Sequence, residues 1–162
     1  MANTKMKALR GMSKRITILL FFLSNFMGVY SQDILDISKE FKQDTARVEQ
    51  EARNLRKEAT STHDMALLYT TLETGYDELL NKYYKILYNK LDNKGKKALR
   101  EAQLNWIKFR DAEQQLLSEL YRQTYEETHV ATIWIVVFTR YGAEITRDRV
   151  FVLYKYLVLD DV

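Results

Sequence analysis

Two short patterns in this chain carry residue types suited to recognition or metal chemistry. In REAQLNWIKFRDAE, residues 100–113, Gln103, Trp106 and Arg110 stand at i, i+3 and i+7, which places them along one side of a helix. A guanidinium four residues beyond an indole can stack on its face, and the Gln103 amide adds a donor and an acceptor. Such a trio can form a recognition patch. It can also form a structural network, with Trp106 in the core and Arg110 paired to a carboxylate of the neighbouring helix. The periodicity of the segment favours the network. Asp77 and Glu78 are the expected partners, because the turn-forming DNKG at 92–95 folds their helix back against this one. The second pattern is EETH at 126–129, where Glu126 and His129 have the Glu-x-x-His spacing of di-iron bundles. Such a site needs two of these motifs. The other histidine, His63, has Thr60 at the matching position, so no metal site is expected.

Nothing else asks for catalysis. The chain has no G-x-S-x-G elbow, no phosphate-binding Walker loop and no H-E-x-x-H. Two histidines in unrelated contexts are weak material for a general base. There is no cysteine, which removes thiol chemistry, cysteine metal sites, disulfides and the lipid-modified cysteine of a bacterial lipoprotein. The expectation is a non-enzymatic protein with no cofactor.

The elements that must position these residues are helices. The chain has no proline, where average usage predicts roughly eight, and only five glycines in 162 residues. Both facts favour long uninterrupted helices. The N-terminus reads separately. A basic MSKR precedes a fourteen-residue apolar run, Ile16 to Val29, and small residues at Val29 and Ser31. That is the layout of a secretory signal peptide over residues 1–31. The run is short for a membrane span, so membrane contact is expected only through this segment if it stays uncleaved. Residues 1–31 hold five of the 25 bases and no acid, which leaves 20 bases against 22 acids in residues 32–162. A chain so balanced gives no reason to expect nucleic acid as a partner.

Residues 33–59 read as a partly exposed helix. TSTHD at 60–64 offers N-cap residues for a second helix ending near Leu91. A third helix is expected from about Lys96 to Gln123. Its stripe of Leu99, Ala102, Trp106, Phe109, Glu113, Leu116 and Leu120 reads as one core-facing line, with Glu113 at its edge or partnered. VATIWIVVF, 130–138, is β-branched enough for a strand, but Trp134, Val137, Phe138 and Tyr141 recur at helical spacing. A helix is therefore expected, bent or ended by Gly142. The fold class is all-α: an antiparallel bundle of about four helices after the signal peptide, with residues 32–162 as one domain.

The segments DELLNKYYKILYNKL, LREAQLNWIKFRD and TRDR resemble the LprI-type lysozyme inhibitor family over roughly residues 60–157. The family's recurring elements fall on Leu80, Asn81, Tyr84 and Leu87, then on Ala102, Gln103, Trp106, Phe109, Arg110 and Asp111, then on Thr146 and Arg149. Many members carry cysteines, one of them close to where this chain has Gln114; here their disulfides cannot exist. The resemblance implies a helical, exported, non-enzymatic bacterial protein, periplasmic or secreted, with a protein partner such as lysozyme. The alternative is an envelope structural or interaction protein without lysozyme activity. Lysozymes are basic, with a carboxylate-lined cleft, so an acidic inserting element is sought among the expected joints. Residues 92–95 and 123–129 are the two candidates. The second carries Tyr125, Glu126 and Glu127 as possible contacts.

Overall fold

The computed structural model describes residues 34–128 and 132–159. By contacts the chain falls into two compact units, Met1–Glu40 and Phe41–Val162. The first helix, α1, covers residues 34–58, and its part from Phe41 onward belongs to the second unit. The others are α2 (Thr62–Lys90), α3 (Asn93–Thr128) and α4 (Thr132–Leu157). The described residues are almost wholly helical and hold no strand, as the composition requires. The expected signal segment, residues 1–31, lies outside them. Among the described residues no helix is long and apolar enough to cross a membrane.

Helix α2 starts as its sequence demands. Ser61 is the N-cap and its hydroxyl accepts from the Asp64 amide at 3.1 Å, while the Asp64 carboxylate accepts from the Ser61 amide at 2.9 Å. This reciprocal capping box satisfies two orphan amides. The turn after α2 is tighter than DNKG suggested. Asp92 Oδ1 accepts from the Gly95 amide at 2.7 Å, so Asn93 to Gly95 already form the first turn of α3.

Neighbouring contacts give the helix directions. Phe41 meets Tyr83 and Glu49 meets Tyr76, so α1 and α2 run antiparallel. Gln103 bonds Arg149 and Tyr121 packs on Trp134, so α3 and α4 do too. Helices α2 and α4 run parallel, since Phe41 touches Tyr154 as well as Tyr83, and Glu73 lies beside Gly142. The result is an up-down bundle. Among α2, α3 and α4 the most extensive seam is α2 with α4.

Two glycines permit close approach. A Cβ at Gly75 would lie 2.8 Å from Val48 Cγ1, and one at Gly142 would lie 2.7 Å from both carboxylate oxygens of Glu73. Gly142 does not end α4. It makes room for a side chain of α2, and the helix continues through it.

The core is built from Phe41, Val48 and Ala52 of α1, from Ala66, Leu68, Tyr76, Leu79, Leu80, Tyr83 and Leu87 of α2, and from Ala143, Val150, Leu153 and Leu157 of α4. Helix α3 contributes only Leu99 to it. The expected α3 core stripe is therefore a correction: Phe109 is 52% exposed, Leu116 54% and Leu120 46%, and Ala102 is exposed too. The cause is one-sided support. The first half of α3 touches α2 only lightly, at Tyr88 and near Glu73, and α4 covers only the side carrying Trp106, Glu113 and Tyr121.

Candidate functional site

The α3–α4 seam gathers part of the expected signature. Arg149, one turn beyond the buried Thr146, is itself buried, with 8% of its surface exposed. Its Nε donates to Gln103 Oε1 at 3.0 Å. Its guanidinium lies 5.9 Å from the Trp106 ring centroid, and that of Arg110 lies 5.4 Å from the same ring. Both distances suit cation–π attraction. Gln103, Trp106, Arg110 and Arg149, which the sequence placed 46 residues apart at the extremes, thus form one cluster. Burial pushes the Arg149 guanidinium below its ordinary pKa, and nearby Tyr156 opposes this.

Arg110 does not pair with Asp77 or Glu78. It donates to its own neighbour Asp111 at 2.8 and 3.0 Å. Asp77 instead accepts from Asn81 within α2, and Glu78 reaches Arg47 of α1 at 4.0 Å. The α2 carboxylate that feels Arg110 is Glu73, one turn earlier. Burial raises the Glu73 pKa, the Arg110 charge lowers it, and Asp77 raises it again. Sequence reasoning missed Glu73. The signal was present in the small Gly142 opposite it, but that pairing is visible only once α2 and α4 are known to run parallel.

Two more rungs join α3 to α4. Tyr141 donates to Glu113 at 2.7 Å, and this bond, then burial, then the Glu113 charge push its pKa up to about 12. Glu113 therefore has the partner that its place on an apolar line required. Further along, Tyr121 meets Trp134 at 5.5 Å and Phe138 at 5.9 Å.

Beside the cluster is a cleft of about 340 Å³, lined by Trp106, Phe109, Tyr141, Glu144, Ile145, Asp148, Arg149 and Val152. Two of its acids have basic neighbours: Glu144 pairs with Arg140 at 2.8 Å, and Asp148 with Arg147 at 3.4 Å. The remaining signature residues lie elsewhere. Asn81 is exposed on α2. Tyr84 stacks on Tyr88 at 6.0 Å and lines a separate hollow with Arg100. A third groove, about 650 Å³, was not anticipated. It carries Lys42 and Arg53 of α1 and Arg147 and Lys155 of α4 around Phe151.

The expected inserting loop at 123–129 is a second correction. Helix α3 continues to Thr128, because Arg122 bridges Glu119 at 2.9 Å and Glu126 at 2.8 Å along its surface, a favourable helical spacing. Tyr125 is exposed and its ring lies 5.8 Å from Tyr121. The Glu127 side chain and His129 lie outside the described residues. The α3–α4 end also exposes Leu116, Leu120, Ile133 and Ile135.

No curated protein and no solved structure matches the chain. The profile of the family described as lysozyme inhibitor LprI matches residues 52–153, which span the capping box, the Gln103–Trp106–Arg110–Arg149 cluster and the cleft beside it. On that match, which covers well over half of the sequence, the chain belongs to the lysozyme inhibitor LprI family.

Proposed function

We propose that the protein is exported, with residues 1–31 as its signal peptide, and that it binds and inhibits lysozyme through the free end of the α3–α4 pair. One observation carries the choice of surface. Leu116, Leu120 and Tyr125 of α3 and Ile133 and Ile135 of α4 are each exposed in the stretch that also carries the acids Glu119 and Glu126. Several large apolar side chains left in solvent at one end of a helix pair suit a docking surface, and acids among them suit a basic partner. The family match supports lysozyme as that partner. Insertion here is by a helical end, with Tyr125 as the aromatic contact.

The test is a cell-wall clearing assay with the protein lacking residues 1–31. The wild type slows lysozyme. Tyr125→Ala with Glu126→Ala weakens inhibition at least tenfold, about 1.4 kcal/mol, while the melting curve holds, because both side chains are exposed. Absence of inhibition at micromolar excess against lysozymes of several classes refutes the reading and leaves an envelope interaction protein. N-terminal sequencing of the protein from its native envelope tests export: a chain still starting at Met1 or Met12 refutes cleavage.

A further inference from the structure

Among the described residues Arg149 has no carboxylate partner. Its one hydrogen bond goes to a neutral amide, and its Nη2 is fully enclosed with no acceptor. A buried cation without a counter-charge is costly, and an unmade hydrogen bond adds to that cost. With Nε committed to Gln103 and Nη2 enclosed, Nη1 is the donor left for a ligand, and a charge-assisted bond from it to a carboxylate oxygen is a strong one. Nη1 is neither bonded nor enclosed, and Arg149 forms part of the cleft wall. We propose that this cleft binds a small amphipathic carboxylate, one oxygen on Arg149 Nη1 and its apolar part against Trp106 and Phe109.

The surroundings select within the anions. Glu144 and Asp148 also line the cleft, so a dianion such as phosphate meets repulsion that a single negative charge, matched to a single guanidinium, meets far less. The other walls are Ile145, Val152 and the aromatic rings, which favour an apolar group attached to the carboxylate. A cleft of about 340 Å³ lies at the small end of ligand sites and fits one apolar side chain with its acid. The free carboxylate of a peptide ending in an apolar residue has this chemistry, and so does a short acyl acid. The proposal does not depend on lysozyme binding, which is assigned to another surface.

Trp106 reports on the site. Trp134→Phe leaves it as the only tryptophan of the two. N-acetylphenylalanine, its amide and hexanoate are titrated into this variant. N-acetylphenylalanine is expected to change Trp106 emission saturably below about 10 mM, with the amide at least tenfold weaker. Hexanoate matching it indicates acyl acids as the source; an apolar peptide binding only with its free C-terminus indicates peptides. Arg149→Met is expected to erase the preference for acid over amide. Phe109→Ala, at an exposed position, is expected to weaken the acid severalfold with the melting temperature unchanged, so the test survives if the first variant does not fold. Equal affinity for acid and amide, or no saturable response of Trp106, overturns the proposal.

Discussion

Removing Arg110 separates a structural role from a recognition role, and its cost can be worked from its surroundings. The ion pair with Asp111 is largely solvent-facing, with side-chain exposures of 29% and 57%, so it contributes roughly 0–1 kcal/mol. The contact with Trp106 adds about 0.5–1 kcal/mol. The third contribution is electrostatic: Arg110 offsets the burial of the Glu73 carboxylate. Arg110→Ala should therefore cost about 1–2 kcal/mol near neutral pH, less than the roughly 3–5 kcal/mol of a broken buried pair. At roughly 3 °C per kcal/mol for a chain of this size, the melting temperature falls about 3–6 °C. The sign of the pH dependence follows from Glu73. Its folded pKa is raised, so its burial penalty is absent at low pH and appears as pH rises through that folded value. The Arg110 charge helps only the ionised form. The difference between wild type and Arg110→Ala should then widen with rising pH and narrow, to the part owed to Asp111 and Trp106, as Glu73 protonates. In a Glu73→Gln background the substitution should cost less and lose this pH dependence. Melts from pH 4 to 8 on the four proteins of that cycle give the coupling. A cost that is constant with pH, and the same with or without Glu73→Gln, refutes the electrostatic argument. An unchanged melting temperature with lost partner binding makes the cluster a recognition patch.

Gly75→Ala would gain about 1 kcal/mol of helix propensity, but its methyl would sit 2.8 Å from the stiff side chain of buried Val48. Overpacking of about 1–3 kcal/mol should prevail, and a urea melt showing net stabilisation refutes the close approach. Ser61→Ala should cost roughly 1 kcal/mol by removing the cap of α2. The amides and hydroxyl accepted by Asp64 hold its pKa down to about 2. Its contribution is therefore present above the ordinary carboxylate value and lost as pH falls towards 2. Asp64→Asn should flatten the acid limb of the stability curve below pH 4, and an unaltered limb refutes the assignment.

What the sequence made legible was local. The Ser61 cap, the helix after it, the short connection at Asp92 and the helical choice for residues 132–141 follow from propensity and spacing, which act within a few residues. The Gln103–Trp106–Arg110 side of α3 was legible for the same reason. Its partners were not, because register between helices is set by packing. Asp77 and Glu78 sit one turn beyond the α2 residue that faces Arg110. Arg149 could be suspected from the family pattern, yet its burial without a carboxylate has no signature in spacing. The α3 stripe misled because a 3–4 repeat marks an apolar face without saying whether a neighbour covers it. The segment 123–129 misled because its turn-prone polar residues are also surface helix formers when Arg122 bridges Glu119 and Glu126.

The one-sided support of α3 has a consequence for motion. Helix α2 is anchored by seven buried side chains, whereas α3 is held to α4 by separate rungs: Gln103 with Arg149, Glu113 with Tyr141, and Tyr121 with Trp134 and Phe138. Each rung is a half-buried bond or ring contact, contributing on the order of 1 kcal/mol, and the exposed leucines between them add little. Segments with few buried apolar contacts open at lower free energy than the core. Native-state hydrogen exchange should therefore show amides of residues 105–125 opening several kcal/mol below those of residues 76–87. Tyr141→Phe should lower the first set further and leave the second nearly unchanged, because its hydroxyl bonds only across the α3–α4 seam. A partner that covers Leu116 and Leu120 should reverse the order by protecting α3. If α3 exchanges only through global unfolding, with the same free energy as α2, the rungs are cooperative with the core and the argument from one-sided burial fails.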